Sequence, residues 1–270
     1  DAMPAKRVSR GRDMLDPVLA PGADSRAVSG RADAGRSRCA SCAIAPRCLP
    51  AALNAEQMHR FEDSVQRCRP LGAGDHLFRV GDPFHAMFAV QSGCFKSYAV
   101  DAEGREHVMA FHFAGEIIGV EAIYPERHVS SCVALAPAST VCVLPYRTLT
   151  RLAQEIPPLQ SEILRMLSRY VLGGASIAGD FSAEERLAAF LVMVSARLRR
   201  PGSGGDLDLA MSRQDIANFL RLAPETVSRI LARFQRGGLV KTDRKHIELL
   251  DPDGLSDIAA CMNPYTRYGP

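Results

Sequence analysis

The chain has 270 residues, 47% of them hydrophobic, which suffices for one large or two ordinary domains and excludes disorder throughout. Its longest unbroken apolar run, Leu187 to Val194, is eight residues, against the roughly 18–20 that span a bilayer. A net charge of +3 names no partner by itself, but eight cysteines are unusual: in a reducing compartment, clustered thiols point to metal or redox chemistry rather than structural disulfides.

Residues 1–38 hold eight Lys/Arg and five Asp among Ala, Gly and Ser. They contain no apolar stretch of the kind a secretory signal needs, and read as a flexible tail of a cytoplasmic protein. Residues 39–155 read as one sensor unit, a cysteine loop followed by a β-roll. From Cys68 to Pro145 short apolar stretches are punctuated by Gly72, Gly74, Gly81, Gly93, Gly104, Gly115 and Gly119, the pattern of short strands and tight turns. Leu77–Val80, Ala86–Val90, Phe95–Val100, His107–Phe111 and Thr140–Leu144 are the predicted strands.

Residues 156–181 shift to a helical period. Leu159, Ile163, Met166, Tyr170, Gly173 and Ile177 are spaced 4, 3, 4, 3 and 4 apart, a stripe that suits a coiled-coil partner or, equally well by spacing, the chain's own roll. The first reading makes Leu159, Ile163, Met166, Tyr170 and Ile177 a homodimer interface. Ser182 and Glu185 form a capping-box pattern before the run Leu187–Leu198, which opens a further domain over 182–250. A glycine-rich loop at 201–205 ends that helix.

Within this domain Ser212, with Asp215 three residues on, caps a helix carrying Ile216, Ala217, Phe219 and Leu220. After a turn at Arg221-Leu222-Ala223, Pro224 suits the first position of a second helix. There Val227, Ile230, Leu231 and Phe234 share one face, and Glu225, Ser228, Arg229 and Ala232 the other. The pattern predicts a helix-turn-helix whose exposed Arg229 can donate twice to guanine, Glu225 accept from cytosine and Ser228 adapt, with Arg213 and Thr226 beside them. Residues 209–248 carry eight Lys/Arg against four Asp/Glu, a local +4, and a basic hairpin of Lys241, Arg244 and Lys245 follows like a wing on phosphates. Arg221 stands where a left-handed turn usually has glycine, at a cost of about 1 kcal/mol. Residues 251–270 read as a loose C-terminal tail.

Over about residues 39–250 the chain resembles the cyclic-AMP receptor protein/FNR superfamily of bacterial transcription regulators. The likeness is carried by the glycine-punctuated roll, the long helix, and the segments AEERLAAF from Ala183 and PETVSRIL from Pro224. It implies an α+β fold, with a cyclic-nucleotide-binding-like jelly roll, a dimerisation helix and a winged helix-turn-helix. Its nucleotide-sensing branch places an arginine a fixed distance beyond a Gly-Glu pair. Gly115-Glu116 is present but Arg127 is out of register, which makes nucleotide sensing the alternative reading.

Cys39-x2-Cys42-x5-Cys48 packs three thiols into ten residues before the roll, and Cys142 lies 94 positions further on in a predicted strand. Four such thiolates can close around a metal centre, with zinc the inert choice. The arrangement resembles the oxygen-sensing FNR subgroup, and that resemblance implies a [4Fe-4S] cluster on Cys39, Cys42, Cys48 and Cys142. Arg47 inside the loop is a cation that could stabilise it. The resemblance also implies a homodimer that binds a TTGAT-type DNA palindrome when the cluster is intact, releases it in oxygen, and contacts RNA polymerase. Cys68, Cys94, Cys132 and Cys261 are expected to be small core residues, with Cys132, also in the strand-rich region, the rival for fourth ligand. An iron–sulfur enzyme is the remaining class, but the seven histidines are scattered and pair with no recognisable nucleophile motif, so no enzyme is expected.

Overall fold

A computed structural model describes residues 39–68, 70–175, 181–198 and 206–259. The tail at 1–38, the loop at 201–205, Ile177 and Cys261 lie outside the described residues. Residues 39–52 wind through three short 3-10 turns, shaped by Pro46 and Pro50, and lead into α1 (Ala55–Glu62), which Asn54 and Gln57 cap reciprocally.

The roll is built from β1 (Gln66–Arg67), β2 (His76–Phe78), β3 (Ala86–Ser92), β4 (Cys94–Val100), β5 (Glu106–Phe113), β6 (Ile117–Ile118), β7 (Ser131–Ala134) and β8 (Thr140–Pro145). They form two antiparallel four-stranded sheets, ordered β1-β8-β3-β6 and β2-β7-β4-β5. Between them lie Leu71, Leu77, Phe78, Val90, Phe95, Ile118, Cys132, Ala134 and Val141. Strand alternation then decides where neighbouring residues go. Val141 enters this interior, whereas Cys142 faces outward with Met87, Ala89 and Leu144, against the cysteine loop and the helices that follow. At the β3–β4 turn Gly93 has φ +87°, and a Cβ there would lie 2.2 Å from Ser139 Oγ, so only glycine lets the two turns meet.

Beyond the roll come α2 (Tyr146–Glu155), which the sequence reading did not separate, and α3 (Pro157–Ala175). The stripe on α3 requires a correction. Leu159 and Met166 are buried in the chain's own core with Leu49, Leu152 and Ile156, and Ile163 packs against the same cluster. Spacing identifies residues that share a face but not what covers it. Tyr170 of the predicted stripe does stay exposed, as do Leu164, Val171 and Leu172 outside it.

The C-terminal unit comprises α4 (Ala183–Leu198), β9 (Asp206–Asp208), α5 (Arg213–Leu220), α6 (Pro224–Arg236), β10 (Val240–Asp243), β11 (His246–Leu249) and α7 (Pro252–Ala259). The last three strands form a sheet ordered β10-β11-β9. Helix α7 corrects the expectation of a loose tail at 251–270, because Leu255 is fully buried and Ala259 nearly so in the core shared with α4. The core of the C-terminal unit extends into the sensor. Val108, Phe111 and Phe113 of β5 join one cluster with Leu187, Phe190, Leu191, Ile216 and Leu220.

Candidate functional site

The helix-turn-helix forms as its local chemistry dictates. Ser212 Oγ accepts from the Asp215 N–H at 3.0 Å, and Asp215 Oδ2 accepts from the Ser212 N–H at 3.0 Å, so two otherwise orphaned donors are satisfied at the start of α5. Arg221 ends α5 with φ 55° and ψ 46°, the left-handed conformation anticipated from the sequence. Pro224 then begins α6, which buries Val227, Ile230, Leu231 and Phe234. Glu225, Ser228 and Arg229 are exposed and Thr226 is half-buried. Ser228 Oγ donates to the Pro224 carbonyl at 2.9 Å, so its hydroxyl has an internal partner when no DNA is bound.

The wing is tied to both helices of the motif, by Arg213 of α5 and Gln235 of α6. Arg213 donates to the Arg244 carbonyl at 3.0 Å, across the tight turn where Arg244 has φ 49°. Gln235 of α6 accepts from the Thr242 N–H at 3.2 Å and its hydroxyl at 2.7 Å. Arg213 is therefore a half-buried brace as well as a cation near the expected phosphates, and Gln235 is a positioning residue that the sequence reading missed.

Helix α5 is also fastened to the roll. Lys96 of β4 donates to Asp215 at 2.7 Å and to Glu106 at 2.9 Å. Asn218 accepts from the Val108 N–H at 3.3 Å and donates to the Glu106 carbonyl at 2.5 Å, pairing with the edge of β5 as a further strand would. Phe219 packs on Phe111 and Phe190, with ring centroids 5.2 and 5.9 Å away.

The four candidate ligands come to one region. Cys39 and Cys142 are buried, and Cys48 packs against the cluster that contains them. Burial pushes the Cys48 thiol up to about 12; the Leu49 N–H opposes this, and repulsion from Cys142, Cys39 and Cys42 adds to it. All three other cysteines are thus within electrostatic reach of Cys48. Among the described residues no three His, Cys, Asp or Glu side chains are close enough together to hold a metal ion. The donors are gathered without being closed around a centre. Arg67 stands opposite Cys142 across the β1–β8 pair, and its buried Nε has no hydrogen-bond partner. Four soft thiols, one of them opposite a half-buried arginine, suit an anionic thiolate-ligated group. Cys94 and Cys132 are buried as expected, while Cys68 is half-buried.

The stretch relevant to nucleotide sensing differs from a phosphate site. Arg127 is exposed, and the next residue, His128, is the buried one. Its ring stacks on Phe78 with centroids 3.6 Å apart, and burial pushes its pKa down to about 4, which leaves it neutral. Glu116 pairs with Arg197 of α4 at 3.3 Å.

Residues 68–155 match the cyclic nucleotide-binding domain family, and residues 185–258 the Crp-like helix-turn-helix domain family. The transcriptional activator protein anr of Pseudomonas aeruginosa is 39% identical over 228 residues, 83% of this chain and 93% of the relative. The chain belongs to the Crp/FNR family of transcription regulators. The fumarate and nitrate reduction regulatory protein of Escherichia coli is a further Crp/FNR relative, 35% identical over 82% of this chain and 90% of its own. The structure of FixK2 from Bradyrhizobium japonicum shares the fold, with a TM-score of 0.65 and 24% identity over 72% of this chain and 96% of that one. As in the family, a roll is followed by helices and a C-terminal helix-turn-helix. No described helix is long and apolar enough to cross a membrane.

Proposed function

We propose that this Crp/FNR protein is an oxygen-responsive transcription regulator and not an enzyme, with Cys39, Cys42, Cys48 and Cys142 as ligands of a [4Fe-4S] cluster. The observation that carries the reading is that Cys39 of the loop and Cys142 of β8 are buried in one cluster, with Cys48 packed against it. When bound, such a cluster supplies an anionic, oxygen-labile cross-link between the loop and the roll. Relatives named as the activator anr and the fumarate and nitrate reduction regulator support it.

The residues divide the remaining work. Leu164 and Val171, 60% and 69% exposed and one heptad apart on α3, together with Tyr170 and Leu172, are the face for a second copy. Pairing there sets two α6 helices for successive major grooves, about 34 Å apart, on a TTGAT-type palindrome. Arg229, Glu225 and Ser228 read base edges, Thr226 and Arg213 lie beside them, and Lys241, Arg244 and Lys245 meet phosphates. The bound dimer recruits or obstructs RNA polymerase. Iron and sulfide analysis of protein purified without air tests the ligand set. Cys142→Ser abolishes both contents whereas Cys132→Ser leaves them in place; zinc in place of iron overturns the reading.

The match of residues 68–155 to the cyclic nucleotide-binding domain family favours a second reading, a nucleotide-responsive regulator with zinc or redox-active cysteines. Titration with cyclic AMP separates the two, because the exposed Arg127 and the paired Glu116 leave the nucleotide's phosphate without a buried cation.

A further inference from the structure

The cysteine loop touches the DNA-binding unit directly, through one turn of the roll. On the loop side, the Arg47 backbone packs against Gly115 so closely that a Cβ on Gly115 would lie 3.1 Å from the Arg47 carbonyl oxygen and 3.2 Å from its Cβ. Gly115 also has φ +96°, so the backbone favours glycine there, and a side chain would have to push Arg47 back by a few tenths of an ångström. The Arg47 guanidinium donates to the carbonyl of Arg197, in the last described turn of α4, at 3.4 Å. On the other side of the turn, Glu116 takes the Arg197 guanidinium at 3.3 Å and accepts from the Phe113 N–H at 3.1 Å. Arg197 also lies over the Phe113 ring, 6.0 Å from its centroid.

The turn itself cannot drift. The Gly115 N–H donates to the Val90 carbonyl and the Val90 N–H to the Glu116 carbonyl, both at 2.9 Å, which pins it to β3. Burial raises the Glu116 carboxyl above its ordinary value, while Arg197, the Phe113 N–H, Arg169 and Arg47 oppose the rise. Arginines from the cysteine loop, α3 and α4 therefore all lie within electrostatic reach of one carboxylate, and Arg197 pairs with it. A displacement at Cys48 moves Arg47, its chain neighbour, and with it the contact on the Arg197 carbonyl.

We propose that Glu116 is the positioning residue that couples the cysteine loop to the DNA-binding unit, holding Arg197 of α4 on one side of the Gly115 turn while Arg47 packs on the other. The coupling rests on the reading of the four cysteines as the oxygen-labile site. Arg47 then acts chiefly on α4, a role different from the cluster-stabilising one expected from its place in the sequence. Coupled sites change each other's binding by about 5–150-fold, and Glu116 holds the Arg197 guanidinium while Arg47 holds its carbonyl.

The test uses the full chain, as purified without air and after removal of iron by a chelator, on a TTGAT palindrome. In Glu116→Gln the ratio of DNA affinities between the two forms falls at least about fivefold toward unity, with iron and sulfide per chain unchanged. An unchanged ratio, or equal weakening of both forms, overturns the proposal. Hydrogen exchange on the iron-free protein supplies a readout independent of the cluster. Glu116→Gln raises exchange in 44–48 and in 190–198 together, and leaves β10–β11 unaltered; a rise confined to one of the first two segments also overturns it. If the unaltered protein binds DNA equally in both forms, the oxygen reading fails, and the exchange result alone decides whether Glu116 joins the two segments.

Discussion

Asp215→Asn isolates the junction between sensor and reading head. Lys96 and Asp215 have side chains only 10% and 16% exposed, and their 2.7 Å contact is largely protected from solvent screening. Asparagine preserves shape and can still cap α5, while Lys96 keeps Glu106 at 2.9 Å. The loss is therefore one charge-assisted hydrogen bond, about 1.5–3 kcal/mol, and not the roughly 3–5 kcal/mol of a buried cation stripped of its sole partner. Burial pushes the Asp215 carboxyl up, but hydrogen bonds from Lys96 and Ser212 outweigh it and the net shift is downward. Its stabilisation is thus present above the ordinary carboxylate range and lost as pH falls through the depressed value. Burial likewise lowers Lys96, but its bonds to Asp215 and Glu106 outweigh that and the net shift is upward. Its share is present below the ordinary lysine value and lost as pH rises through the raised one. Urea unfolding of the variant and the unaltered protein should therefore differ by about 2 kcal/mol across roughly pH 5–9, narrowing only outside that window. A difference under about 0.5 kcal/mol at neutral pH, or one already gone by about pH 6, refutes the reasoning.

Three further substitutions test other parts of the chain. Leu255→Ala opens a cavity under α7 and costs about 2–5 kcal/mol in denaturant unfolding; a neutral result would mean that α7 does not complete the core. Arg221→Gly relieves a left-handed backbone and raises stability by about 1 kcal/mol, read as a higher midpoint, whereas a lower one contradicts the strain argument. Arg229→Ala weakens binding to the palindrome by about 1–3 kcal/mol and relaxes base preference at one position in each half-site. Uniform weakening across unrelated sequences would reassign Arg229 to phosphate.

The helix-turn-helix was legible because its signals are local. Ser212 with Asp215, Pro224 at the start of α6 and a clean apolar face each act within one turn of helix, and even the strained Arg221 could be anticipated. Five of the roll's eight strands were legible from glycine-bounded apolar runs, several of whose glycines have positive φ, whereas the short β1, β6 and β7 were not. Helix α7 was hidden because Asp251-Pro252-Asp253-Gly254 resembles a loop, and its stability comes from Leu255 inserted under α4, a contact that no local pattern encodes. On α3 the spacing leaves open whether a second copy or the chain's own core covers the stripe, and the choice at Leu159 and Met166 is made by side chains far away in the sequence. At the cysteine site, spacing singled out the thiols, but neither the Gly115 turn pressed on Arg47 nor the Arg197–Glu116 pair could be read before the fold brought them together.

The central claim is that the four cysteines make DNA binding depend on oxygen. Its most direct test is the affinity of protein purified without air for a TTGAT palindrome, measured before and after exposure to air, with iron and sulfide assayed on the same samples. The account predicts iron- and sulfide-containing protein that binds tightly before exposure and loses both cluster and DNA afterwards. Equal binding in the two states would contradict it.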